Sequence, residues 1–173
     1  MERPQAVISP EYCATMARYN KWQNNGLRSL VEVMDDDALR LDRGAFFGSI
    51  WGTLNHLLWG DRTWMNRFDP ALDAPETIEK GVGLTETTAE WSAERLRVDH
   101  VITKWALGIA ACDLEGDLHW YSMLYKKAFT DSKALCVVHF FNHQTHHRGQ
   151  IHAMMTGAGQ TPIDTDLPFM PEN

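Results

Sequence analysis

Four of the chain's eight histidines fall in one short stretch, "HFFNHQTHHRGQ", from His139 to Gln150. On a helix, residues four apart lie on one face. His143 and His147 have that spacing, and so do His139 and His143. A pair of histidines at i and i+4 can place two ring nitrogens on one metal ion, as H-E-x-x-H helices do. His146, next to His147 in the chain, is turned from it by about 100° and faces elsewhere. The best pair is therefore His143 and His147, with His139 one turn away.

Two ligands rarely make a good site, and the third is expected from another helix. "GTLNHLLWGD" offers His56. On a helical wheel, Ile50, Leu54, Leu57, Leu58 and Met65 form an apolar stripe, and His56 falls on its flank beside Gly52, Thr53, Gly60 and Thr63. Mostly small residues there let a neighbouring helix come close, as metal–nitrogen bonds of about 2 Å require. Three neutral imidazoles with open positions for water or substrate make the layout of a catalytic site. Three nitrogens suit zinc, nickel, iron or copper, and affinity order alone does not choose among them.

Other residues admit two readings each. Asp61 lies within the apolar stripe and needs a partner if buried; it either orients a ligand or substrate from behind or, as the wheel favours, bonds to the first helix. Asn20 and Asn24 either tie helices together or line the pocket. Arg148 either holds an anionic substrate or pairs with a carboxylate. His139 and His146 are candidates for a general base, weighed against a supporting or surface role. His100, His119 and His152 read as surface or satisfied histidines. The tryptophans, Trp22, Trp51, Trp59 and Trp64 among them, read as packing. Cys136 lies two turns before His143, about 10 Å along the axis, too far to share an ion.

Four long helical segments must position these groups. The first has Ser9 as N-cap and Pro10 at its first position, and runs to about Met34, near the acidic Asp35–Asp37. The second starts around Phe47–Ser49 and continues until Pro70. The third is capped by Thr85 or Thr87 and runs to about Ala111. The fourth begins near Thr130–Asp131 and ends at Gly157, with Gly159 and Pro162 as stop signals. Residues 69–84 read as a loop, "DLEGDLHWYSMLYKKAF" as a possible short hairpin, and the three-proline tail from Thr161 to Asn173 as a surface strap. Four long helices with little strand predict a single all-α domain over residues 1–173, built as a helix bundle.

At 173 residues the chain is long enough for its own core. A formal net charge of −7, with no run of Lys or Arg, argues against a general grip on nucleic acid. The opening "MERPQAVISPEY" has no apolar signal segment, and nowhere do 18 apolar residues run together, so neither secretion nor a membrane span is expected. Cys13, Cys112 and Cys136 form no C-x-x-C and are odd in number, which suits reduced thiols in the cytoplasm, read as buried small hydrophobes.

"ARYNKWQNN", "FFGSIWGTLNHLLWGDRTWMNRF" and "VVHFFNHQTHHRGQIHAMM", in that order and over nearly the whole chain, resemble the DinB family of metal-dependent proteins. The resemblance implies a four-helix bundle holding a divalent metal through His56, His143 and His147, the residues reached above from spacing, and it implies a homodimer. The family name refers to DNA-damage induction, a matter of regulation. The wider superfamily includes bacillithiol transferases and mycothiol-dependent maleylpyruvate isomerase, in which the metal is thought to hold a small thiol as thiolate. Those branches differ from this sequence in their motifs, and their substrates are not carried over.

The leading expectation is thus a metal-dependent enzyme acting on a small-molecule substrate, with zinc or nickel as the foremost metals. Transfer of a low-molecular-weight thiol is preferred over hydrolysis on the resemblance alone. A non-catalytic metal-binding or stress-response module is the alternative, followed by a metal-free scaffold and, last, a nucleic-acid-binding protein.

Overall fold

The computed structural model describes residues 7–75 and 78–172, with Met1 to Ala6 and Asn173 outside the described residues. The described residues are mostly helical: α1 (Pro10–Val31), a short α2 (Asp36–Arg40), α3 (Ile50–Phe68), α4 (Thr88–Gly108) and α5 (Lys133–Gly157). One hairpin, β1 (Asp117–Ser122) and β2 (Lys127–Ser132), precedes α5. No helix of the described residues is long and apolar enough to cross a membrane.

Local chemistry sets the helix starts. Ser9 accepts a bond from the Tyr12 amide and Pro10 opens α1. Ser49 accepts from Gly52 at the start of α3, and Thr87 from Glu90 at the start of α4. Each satisfies an amide that the helix itself leaves unbonded. Of the two expected α4 caps, Thr85 serves elsewhere: its amide and hydroxyl both donate to Asn55 Oδ1 on α3, at 2.9 and 2.8 Å.

The structure differs from the expected boundaries in three places. α1 ends at Val31, and Asp36 and Asp37 occupy the first turn of α2, where carboxylates suit the positive helix end. α4 stops at Gly108 rather than Ala111. α5 starts at Lys133 because the preceding residues are strand, with Asp117 opposite Ser132 and Ser122 opposite Lys127. The tail from residue 161 does lie against the helices: the Tyr19 hydroxyl donates to the Thr165 carbonyl and Gln23 to the Asp164 carbonyl. Cys13 and Cys136 are buried, but Cys112 is exposed, contrary to its reading as a core residue, because it sits in a one-turn 3-10 helix (Ala111–Leu114) after α4.

α1 packs along α4 and α3 along α5, with lesser contacts of α3 to α4 and α1 to α5. All five residues of the expected α3 stripe are buried, among them Leu54 and Leu58 at 0% exposure. Removing each such side chain from water contributes about 1.5–3 kcal/mol.

A buried polar network crosses this apolar core. Asp61 on α3 pairs with Arg95 on α4 at 2.6 Å and accepts from Gln144 on α5 at 3.0 Å. Arg95 also pairs with Asp99 at 2.9 Å. Asn20 and Asn24 on α1 both donate to Asp99 Oδ1, at 3.1 and 2.8 Å. Arg148 on α5 donates to Asn20. The two asparagines therefore tie helices rather than line a pocket. Arg148 meets an amide oxygen and the Tyr19 ring rather than a carboxylate, and it also lines a cavity of about 360 Å³ beside the C-terminal tail, with Nη2 unbonded. Asp61 bonds to α4 and α5, not to the first helix as the wheel suggested. The long Arg95 side chain reaches it first, and α1 meets Asp99 instead.

Breaking a buried pair by removing one partner leaves an uncompensated charge and costs about 3–5 kcal/mol. Asp61→Ala is expected to lose that much stability in urea unfolding, because it strips Arg95 and Gln144 of a shared acceptor. A loss under about 1 kcal/mol, the range of exposed pairs, would show that the network does not hold the core.

Candidate metal centre

α3 and α5 run antiparallel, and facing turns bring His56 to His147, Gly60 to His143 and Trp64 to His139. Ring centroids lie 4.7 Å apart for His56–His147, 4.3 Å for His143–His147 and 5.4 Å for His56–His143. Among the described residues, these three form a group whose donor atoms all lie within 4.8 Å of one another. His139 is exposed, packed on Trp64 and 5.9 Å from the His143 ring, outside the group. His146 is exposed beside His147 and also outside it. His100 and His119 are exposed and His152 is half-buried, and none of the three belongs to the group.

The close approach needs a glycine. A Cβ on Gly60 would stand 2.7 Å from His143 Cε1, well inside van der Waals contact. Gly52, in the same strip of small residues, has another duty. The space a Cβ would fill there belongs to the Phe47 carbonyl in the turn before α3. That turn depends on Gly48 at φ +75°, a conformation open to glycine and strained for most residues. It lays the Phe47 ring over His56, 3.8 Å between centroids and nearly parallel. Trp59 stacks against His56 from one turn along, at 5.8 Å. Phe47 and Trp59 thus wall the cluster, and Trp59 is more than packing.

The imidazoles are held neutral. Burial, and after it the neighbouring His147, pushes His56 down to about 4. Burial, then His147 and His56, pushes His143 down to about 2. His147 is lowered as well, chiefly by burial. Neutral rings keep the lone pairs that metal coordination needs. His147 Nδ1 lies 2.8 Å from Gln150 Oε1. With that amide oxygen accepting, Nδ1 carries the proton and Nε2 faces away with its lone pair free. His143 Nδ1 is buried without a hydrogen-bond partner, a cost that a cation among the three rings would relieve. The donor set, its neutrality and that unpaired nitrogen fit a divalent ion.

A family model described as the DinB family matches residues 4–173. The chain belongs to the DinB family. Neither a curated protein nor a solved structure matches this DinB chain. Helical spacing and the place of His56 on the α3 wheel had grouped His56, His143 and His147. It missed Gln150, although an i, i+3 neighbour of His147 was open to inspection. It also missed Phe47, which reaches the site through a loop that no helical period describes.

Two outcomes follow from this geometry. Gly60→Ala should displace His143 and weaken zinc affinity by about tenfold to a hundredfold, the usual effect of disturbing a ligand's support, with helical circular dichroism unchanged; undiminished affinity in a competition titration would show that the contact is slack. In metal-free protein, His56 and His143 titrate below their ordinary 6.5, so the unfolded chain takes up protons first. Their contribution is complete above about pH 6.5 and declines as pH falls toward 4. Urea midpoints that are flat across that range in wild type, or that fall as steeply in His56→Ala with His143→Ala, would contradict the assignment.

Proposed function

We propose that the four long helices form a four-helix bundle and that His56, His143 and His147 hold one divalent metal, zinc or nickel, in a metal-dependent enzyme that transfers a low-molecular-weight thiol or hydrolyses its substrate. One observation carries this reading. Three neutral imidazoles from two helices converge within 4.8 Å, and no carboxylate or cysteine among the described residues completes the set. A structural site is ordinarily closed by four protein ligands, whereas three leave a position for substrate. That favours catalysis over a non-catalytic metal-binding module.

When bound, the ion would lower the pKa of a coordinated water or thiol and polarise an electrophile. The chain's own groups do the rest. Gln150 fixes the proton and orientation of His147. Gly60 admits His143 against α3. Phe47 and Trp59 exclude water from the His56 side. His139, exposed one turn from His143, is the candidate general base of this reading. The superfamily resemblance supports thiol transfer ahead of hydrolysis, and supports a homodimer. The odd set of three cysteines, two of them buried, suits a reducing cytoplasm.

The test is metal content by mass spectrometry on untagged protein, wild type beside His56→Ala and His143→Ala. About one equivalent in wild type, lost in both variants, is the outcome expected from a single three-histidine site. No uptake by wild type, even after incubation with zinc or nickel, would refute the site.

A further inference from the structure

A groove of about 450 Å³ opens between α3 and the hairpin, lined by Trp59, Thr63 and Arg67 on one side and by Trp120, Tyr121 and Met123 on the other. It adjoins the histidine cluster: Trp59 lines it and also stacks on His56. His56, Gly60, Thr63 and Arg67 follow one another at helical spacing, so the groove continues the face of α3 that carries His56. On α5 the same direction leads from His147 through His143 to His139, whose ring packs on Trp64.

Arg67 is the unusual member. Its guanidinium lies over the indoles of both Trp64 and Trp120, 4.4 and 4.3 Å from their centroids, where the two rings meet at 5.3 Å. One N–H donates to the Tyr121 carbonyl at 3.2 Å. An arginine has five such donors, and among the described residues no carboxylate lies within ion-pair distance of this one. The contrast with Arg95, which holds two aspartates, is plain. Burial pushes Arg67 down to about 10, which leaves it cationic at neutral pH. A fixed, planar cation with free donors at the wall of an aromatic groove is the arrangement that recognises a carboxylate.

We propose that Arg67 is a binding residue for the carboxylate of a small ligand whose apolar or planar body lies against Trp59, Trp120 and Met123. Arg67 stands seven residues beyond Gly60, about 10 Å along the α3 axis. A ligand anchored there would present its other end to the histidine cluster. The substrate class is then a carboxylate that carries its thiol or scissile bond at the far end. This second half rests on the function proposed above; carboxylate capture by Arg67 does not.

The probe is 3-phenylpropionate beside its neutral amide, titrated against tryptophan fluorescence in metal-free and zinc-treated protein. The acid is expected to bind at least about tenfold more tightly than the amide in both, because a charged hydrogen bond is lost with the amide. Arg67→Gln should abolish that preference. Arg67→Lys, which keeps the charge over the two indoles, should retain it in part, and so guards against a Gln variant that merely loosens the hairpin. Equal binding of acid and amide would overturn the proposal, as would a preference that survives Arg67→Gln. Acid binding that needs zinc and is lost in His143→Ala but not in Arg67→Gln would also overturn it, by assigning the carboxylate to the ion. If no zinc is taken up, the metalloenzyme reading falls, and the metal-free titrations still judge Arg67.

Discussion

The structure depends on the buried join of Asp61 to Arg95 and Gln144. An apolar stripe limits which face of a helix is buried, but it tolerates a slide of a turn, since one leucine serves much like another. A buried carboxylate does not. Moved away from its donors, it pays several kcal/mol of lost solvation with nothing in return. Asp61 follows Gly60 in α3, and Gln144 follows His143 in α5. The Asp61–Gln144 bond at 3.0 Å therefore fixes the turn at which Gly60 meets His143. Facing turns on either side then carry His56 to His147 and Trp64 to His139. The histidine cluster is positioned by a polar bond one residue away from it.

This division of labour explains what could be read in the sequence. His143 and His147 follow from helical spacing, a property of one element alone. His56 follows from its place on the flank of an apolar stripe, which is again local. Gly60 was legible as a small residue on the right side of α3, and its partner is the predicted histidine. What a single wheel cannot supply is the neighbour. It marked Asp61 as buried but assigned it to the wrong helix, because the choice between α1 and α4 depends on how far Arg95 reaches. The hairpin was legible only as a leaning of aromatic and β-prone residues, and its pairing moved the start of α5 to Lys133. Phe47 and Arg67 lay beyond reach, since each acts through a tertiary contact: one through a glycine turn, the other through a tryptophan from the hairpin.

Charge balance links the network to the centre it positions. Asp61 alone would favour the protonated form of His147 across the helix interface, and its influence is in that direction. A proton on His147 would oppose a metal ion at the same place. Arg95, at 2.6 Å from Asp61, supplies a compensating positive charge where the carboxylate must stay. Two arginines are buried with the two aspartates, so Asp61 does not face the rings as a lone charge. Burial is the largest influence on all three rings and, with the neighbouring histidines, outweighs the opposite pull of Gln150 and Asp61 on His147. The same carboxylate can therefore set the register of α3 and α5 without spoiling the lone pairs that the register brings together.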